Sequence, residues 1–148
     1  MTSSVLEERD AALARGDALW HRLSAALDAR IDRPLTDSST WSGKDVYAHF
    51  ARWQAQSIAD VQRMIAGQRP HPVEGEEDEI NDRWHAEDVA LAAEIARSRC
   101  LTTRDELRSL LASLTAEQWQ LFGHASASDV DGDHYEGHLS AISQGAHP

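Results

Sequence analysis

The sequence predicts an all-α protein, a four-helix bundle, and three observations predict it. Glycine and proline together supply only 12 of 148 residues, too few turn formers for a many-stranded fold. Alanine occurs 23 times against 12 for valine plus isoleucine, a balance that favours helix over strand. Apolar residues then recur with a helical period along most of the chain. The length suits one domain, residues 1–148, built on one core.

The first helix is expected from about Ser4 to Ile31. Leu6, Leu13, Trp20 and Leu27 repeat every seven residues, Leu23 and Ile31 join the same flank, and Pro34 stops the run. The second opens on a capping signal, with Ser42 as N-cap and Asp45 at the third helical position. Trp41 and Val46 are spaced for a hydrophobic staple. Val46, His49, Phe50, Trp53, Ser57, Val61 and Met64 hold one face of this helix, and Gly67 and Pro70 end it near Ala66. Residues 67–78 form a loop whose acidic run reads as a solvated stretch favouring the next helix N-terminus.

A third helix is expected to run unbroken from about Glu79 or Asn81 to Leu114. Val89, Ala92, Ala93, Ala96, Cys100, Thr103, Leu107, Leu110, Leu111 and Leu114 stay near one line. The alternative is a break at Thr103, where Thr103 and Glu106 spell a capping box. A second such box, Thr115 to Gln118, opens a short turn carrying Trp119 and Phe122. Residues 123–130 read as loop, and a last helix is expected from about Asp131 to Ser143.

Composition narrows the function classes. No apolar stretch approaches the ~20 residues that span a bilayer, and the N-terminus has neither the basic opening nor the apolar run of a secretory signal. A lone cysteine, Cys100, excludes an internal disulfide or a cysteine-based zinc site, so the expected location is cytoplasmic. The net charge is −11, Lys44 is the only lysine and the arginines are scattered, which disfavours nucleic acid and anionic membranes as partners.

The chemistry concentrates in histidine. His134 and His138 stand four apart on the last helix, so their rings stack on one face and can converge on one ion. His49 lies on the apolar face of the second helix, between Val46, Phe50 and Trp53, where an imidazole needs a partner. Bundle metal sites are built from facing helices in this way. Three histidines leave one tetrahedral position open for water or substrate, with Glu136 and Asp60 as remaining candidates for a fourth ligand. Imidazole donors suit zinc, nickel, copper or iron. The run from Asp129 to Asp133 fails as a calcium loop, because its glycine is misplaced and Ser140 stands where the bidentate glutamate belongs. Cys100 lies on the apolar line of the third helix and reads as a buried, inert thiol. His21, His71, His85, His124 and His147 fall off the apolar stripes or in loops and are expected at the surface. Trp41, Trp53, Trp84 and Tyr135 are candidate pocket walls.

Three segments, Trp41 to Trp53 (WSGKDVYAHFARW), Ile80 to Asp88 (INDRWHAED) and His134 to Leu139 (HYEGHL), resemble the DinB-like superfamily. Its maleylpyruvate-isomerase-like and genotoxin self-resistance-like groups are the most similar. The resemblance covers nearly the whole chain and implies an up-down-down-up bundle with a long crossover between helices 2 and 3. It implies a divalent metal, zinc or nickel, on His49, His134 and His138, and a homodimer; Trp53, Asn81 and Trp84 are the expected pocket residues. The implied activity is that of a transferase or isomerase using a low-molecular-weight thiol such as mycothiol; the expected substrate is a small electrophilic molecule, with Tyr135 and Glu136 as candidates to assist proton transfer. A hydrolase or self-resistance protein for a reactive small molecule is the first alternative, and a non-catalytic ligand-binding or dimerising bundle the second. Gly137 inside the ligand turn departs from a good helix former and weakens that turn by ~1 kcal/mol.

Overall fold

The computed structural model describes residues 2–147. It is all-helical. Among these residues the principal helices are α1 (Thr2–Ala29), α2 (Gly43–Ile65), α3 (Glu77–Asp88), α4 (Ala93–Ala112) and α6 (Asp133–Ser143), with a single turn, α5 (Ala116–Gln118), before the last. None of them is long and apolar enough to cross a membrane.

Helix α1 buries the predicted stripe, with Leu13, Trp20, Leu23 and Leu27 all inside. It ends at Ala29 rather than Ile31, because the next carbonyls turn outward. Arg30 O accepts from Gly43 N and Ile31 O from Lys44 N, which ties the start of α2 to the end of α1. The capping box at Ser42 forms as expected: the Ser42 hydroxyl accepts from Asp45 N, and Asp45 accepts from Ser42 N. Trp41 and Val46 share one buried cluster.

The expected continuous third helix is broken, and neither reading of the sequence placed the break. It falls at residues 89–92, between α3 and α4. Val89, placed on the apolar line, is 51% exposed. Contacts distant in sequence fix the turn. Arg52 of α2 grips Asp88 through Nε at 3.0 Å and Nη2 at 2.8 Å, and Lys44 donates to Val89 O at 2.7 Å. Thr103 stays inside α4, its hydroxyl donating to Gln54 Oε1 at 2.6 Å.

The core forms two clusters along α2 and α4. The beginning of α2, Val46 to Ala51, packs with Ala96 and Cys100, while Ile58 and Val61 further along pack with Leu107, Leu111 and Leu114. Against α1 the order reverses: Asp28 pairs with Arg97, Asp17 with Arg104 and Arg108, and Arg9 donates to Leu114 O. Cys100 is fully buried, and burial pushes its thiol pKa up, so it stays protonated and inert.

The Thr115 box also forms, and the chain continues through a π turn, Trp119–Gly123, and a 3-10 turn, His124–Ser126. Gly132, at φ 105°, redirects the backbone into α6, which starts at Asp133 rather than Asp131. Asp131 stays outside the helix, accepting from Asp133 N at 3.0 Å. This junction presses on α1 so closely that a Cβ on Gly16 would lie 1.7 Å from Val130 O. Helix α6 is thereby set against α1, with Arg15 bridging to Asp133 and Glu136.

Candidate metal centre

His49 projects from the capped first half of α2, and His134 and His138 project from successive turns of α6. Their Nε2 atoms converge. His134 Nε2 lies 3.2 Å from His49 Nε2 and 3.0 Å from His138 Nε2, and one donor atom from each ring falls within 4.8 Å of the others. A zinc ion with Zn–N bonds of about 2.0–2.1 Å holds tetrahedral nitrogens about 3.3 Å apart, so the spacing matches one small ion. The three-histidine constellation read from the sequence is therefore present as a largely buried cluster that could hold a metal.

The rings are held as metal ligands usually are. His134 Nδ1 donates to Asp129 Oδ1 at 2.6 Å, which fixes the tautomer and turns the Nε2 lone pair inward. Asp129 is itself buried, and its other oxygen accepts from Ser57 at 3.3 Å. Phe50 packs against both α6 rings, at 4.5 Å from His134 and 5.0 Å from His138. Trp41 meets His49 edge-on at 5.6 Å. Burial, then the neighbouring histidines, holds His49 well below the ordinary imidazole range and lowers His138 to about 3. Both rings are neutral near pH 7, the state in which imidazole ligates. His138 Nδ1 is buried with no hydrogen-bond partner.

The donor set fits a divalent ion. Three imidazoles face one point, a carboxylate stands behind one of them, and the open side gives onto a cleft of about 620 Å³. Trp41, His49, His134 and His138 contribute to its walls, and Glu77, Asp78 and Asp82 of α3 stand at its edge. Asn81 also lines this cleft and accepts from Trp53 Nε1 at 2.8 Å. Trp53 walls an adjoining recess beside His134, and Trp84 packs edge-on against Trp53 at 4.8 Å.

Other candidates sit elsewhere. Tyr135 is fully buried against Trp20 and Phe50, and its hydroxyl accepts from Arg104 Nε at 3.1 Å. Burial raises its phenol pKa, so it stays protonated. Glu136 is exposed and bound to Arg15 at 2.6 Å. Asp60 accepts from His71 N at 2.9 Å, and neither it nor Glu136 approaches the three rings as a fourth ligand. The surface expectation fails for His85, which is half-buried and stacks on Trp41 at 4.7 Å with Nε2 3.5 Å from Asp45. His147 is exposed but packs on Trp41 at 5.0 Å and lines the cleft.

Sequence reasoning missed Asp129. Its position five residues before His134 was the available signal, but only the fold turns the carboxylate toward Nδ1.

No family model matches this chain. No curated protein and no solved structure matches it either.

Proposed function

We propose that this protein is a divalent-metal-dependent enzyme of the thiol-transferase or isomerase type, acting on a small electrophilic molecule. The observation that carries the proposal is the convergence of three Nε2 atoms, two from buried rings and one from a partly buried ring, on one point that opens into a cleft. A bound zinc or nickel ion would make a small thiol acidic enough to serve as a nucleophile near pH 7. Asp129 holds the His134 proton at Nδ1, and Phe50 shields the α6 rings from water. The open side of the centre leaves room for both thiol and electrophile.

The DinB-like resemblance belongs to the same proposal. Its support is the order of contacts along the helices, which fits an up-down-down-up bundle with residues 66–92, including α3, as the long crossover. The homodimer and the mycothiol-like cosubstrate are carried by the resemblance alone.

The test is consumption of mycothiol in the presence of a small electrophile, with zinc or nickel added to untagged protein. Turnover above background that disappears in His134→Ala and His138→Ala is the expected result. Turnover without any thiol would assign the site to hydrolysis, and turnover that survives both substitutions would refute the metal-dependent proposal.

A further inference from the structure

The cleft above the histidines has one sign of charge. Glu77, Asp78, Asp82 and Asp133 line it, and no lysine or arginine does. Asp133 is offset by Arg15 at 3.0 Å, but Glu77, Asp78 and Asp82 form no ion pair among the described residues. Asp129, buried behind His134, adds a fourth carboxylate without an arginine or lysine partner. Imidazoles coordinate a metal in their uncharged form, so four carboxylates face the two positive charges of a divalent ion. The cleft stays negative with the metal in place. Trp41 and Ala141 supply apolar wall, which strengthens the field of the carboxylates. His49 and His138, 9% and 7% exposed, bring their Nε2 atoms to 3.2 and 3.0 Å from His134 Nε2 in the floor of this cleft, an independent sign that the floor is built for a ligand.

We infer that the electrophile taken by this cleft is cationic, carrying a protonated amine, guanidinium or quaternary ammonium group that rests against Glu77, Asp78 and Asp82 while its reacting atom meets the histidine centre. The inference rests on the enzyme proposal for its reacting partner, but not for its charge preference. A dicarboxylate substrate or an acidic thiol would enter against the field. A cationic electrophile is steered in, and the thiol that joins it is one of low negative charge.

Three probes of similar size test it: benzyltrimethylammonium, benzyl alcohol and benzenesulfonate. Each is titrated into the untagged protein with and without zinc, while the Trp41 indole and His138 ring signals are followed by NMR. The cation should bind about tenfold or more tighter than the anion at low ionic strength, and the gap should narrow with added salt. The combined variant Glu77→Gln, Asp78→Asn, Asp82→Asn should erase the preference while zinc stoichiometry is unchanged. Asp82→Asn alone, inside α3, should reduce it. Asp105→Asn with Glu106→Gln, exposed on α4, should leave it intact as a control for net charge.

Equal affinities, no cation binding at millimolar concentration, or a preference untouched by the triple variant overturns the inference. Zinc uptake without charge preference sinks this inference alone. Charge preference without zinc uptake sinks the metal proposal alone.

Discussion

Asp129 carries the most consequence per residue in this site. Its carboxylate fixes the proton on His134 Nδ1 and so decides that Nε2 presents a lone pair to the other two rings. Asp129→Asn keeps the shape but replaces a charged acceptor by an amide that can also donate. Partners of this kind set metal affinity by about 10–100-fold. We expect Asp129→Asn to weaken zinc binding within that range, measured by chelator competition, with little change in thermal unfolding of the metal-free protein. Unchanged affinity would mean that the His134 orientation is set by packing alone.

The three histidines were legible in the sequence because their spacing and placement on apolar faces are local facts. Asp129 was not, since it lies in a loop whose path depends on Gly132 and on the contact with Gly16. His85 was misjudged for a similar reason. Its place on α3 says nothing of Trp41, which reaches it from another part of the chain.

Among elements, α1 and α2 could be read to within a few residues. Their stripes are built of leucine and aromatic side chains, and α2 carries its own capping box. The break between α3 and α4 could not. The apolar line across it is largely alanine, which sits equally well on an exposed or a buried face. The turn is made by Arg52 and Lys44 reaching from α2.

Helix α6 offers a sharper test. Gly137 has no atom within 4 Å of an added Cβ and has no positive φ, so it is a glycine without a conformational reason. Gly137→Ala should stabilise the protein by about 0.5–1 kcal/mol, read from chemical denaturation. Because the residue also borders the cleft, the same variant reports whether the ligand turn needs that space. Greater stability with unchanged zinc affinity would show that it does not. A loss of stability would mean that α6 is packed differently from the structure described.

Across the whole molecule, burial of two neutral histidines couples the site to acid stability. His49 and His138 titrate below the ordinary value of 6.5 in the folded protein, so below about pH 6.5 the unfolded chain binds protons that the folded chain refuses. Stability from these groups is present above that pH and is lost as pH falls toward about 3, where His138 finally protonates. Asp17 and Asp28 act in a lower window. Burial pushes their carboxyl groups up, but Arg108 and Arg104 at Asp17, and Arg97 with Tyr47 at Asp28, outweigh it and leave both below the value of 3.8. Their contribution is therefore lost only as pH falls below about 4. The melting temperature should decline in two stages on acidification. Replacing His138 by a neutral residue of similar size, His138→Gln, should shrink the upper stage to the share of His49 and leave the lower stage unchanged. An upper stage of unchanged size in His138→Gln would place its origin elsewhere.

The central claim is that His49, His134 and His138 hold one divalent ion. Calorimetric titration of untagged, metal-free protein with zinc and nickel, coupled to X-ray absorption of the loaded protein, tests it most directly. The account predicts one ion per chain, nitrogen neighbours at about 2.0–2.1 Å, and loss of binding in His49→Ala, His134→Ala and His138→Ala alike. No uptake, or uptake indifferent to those three substitutions, would contradict it.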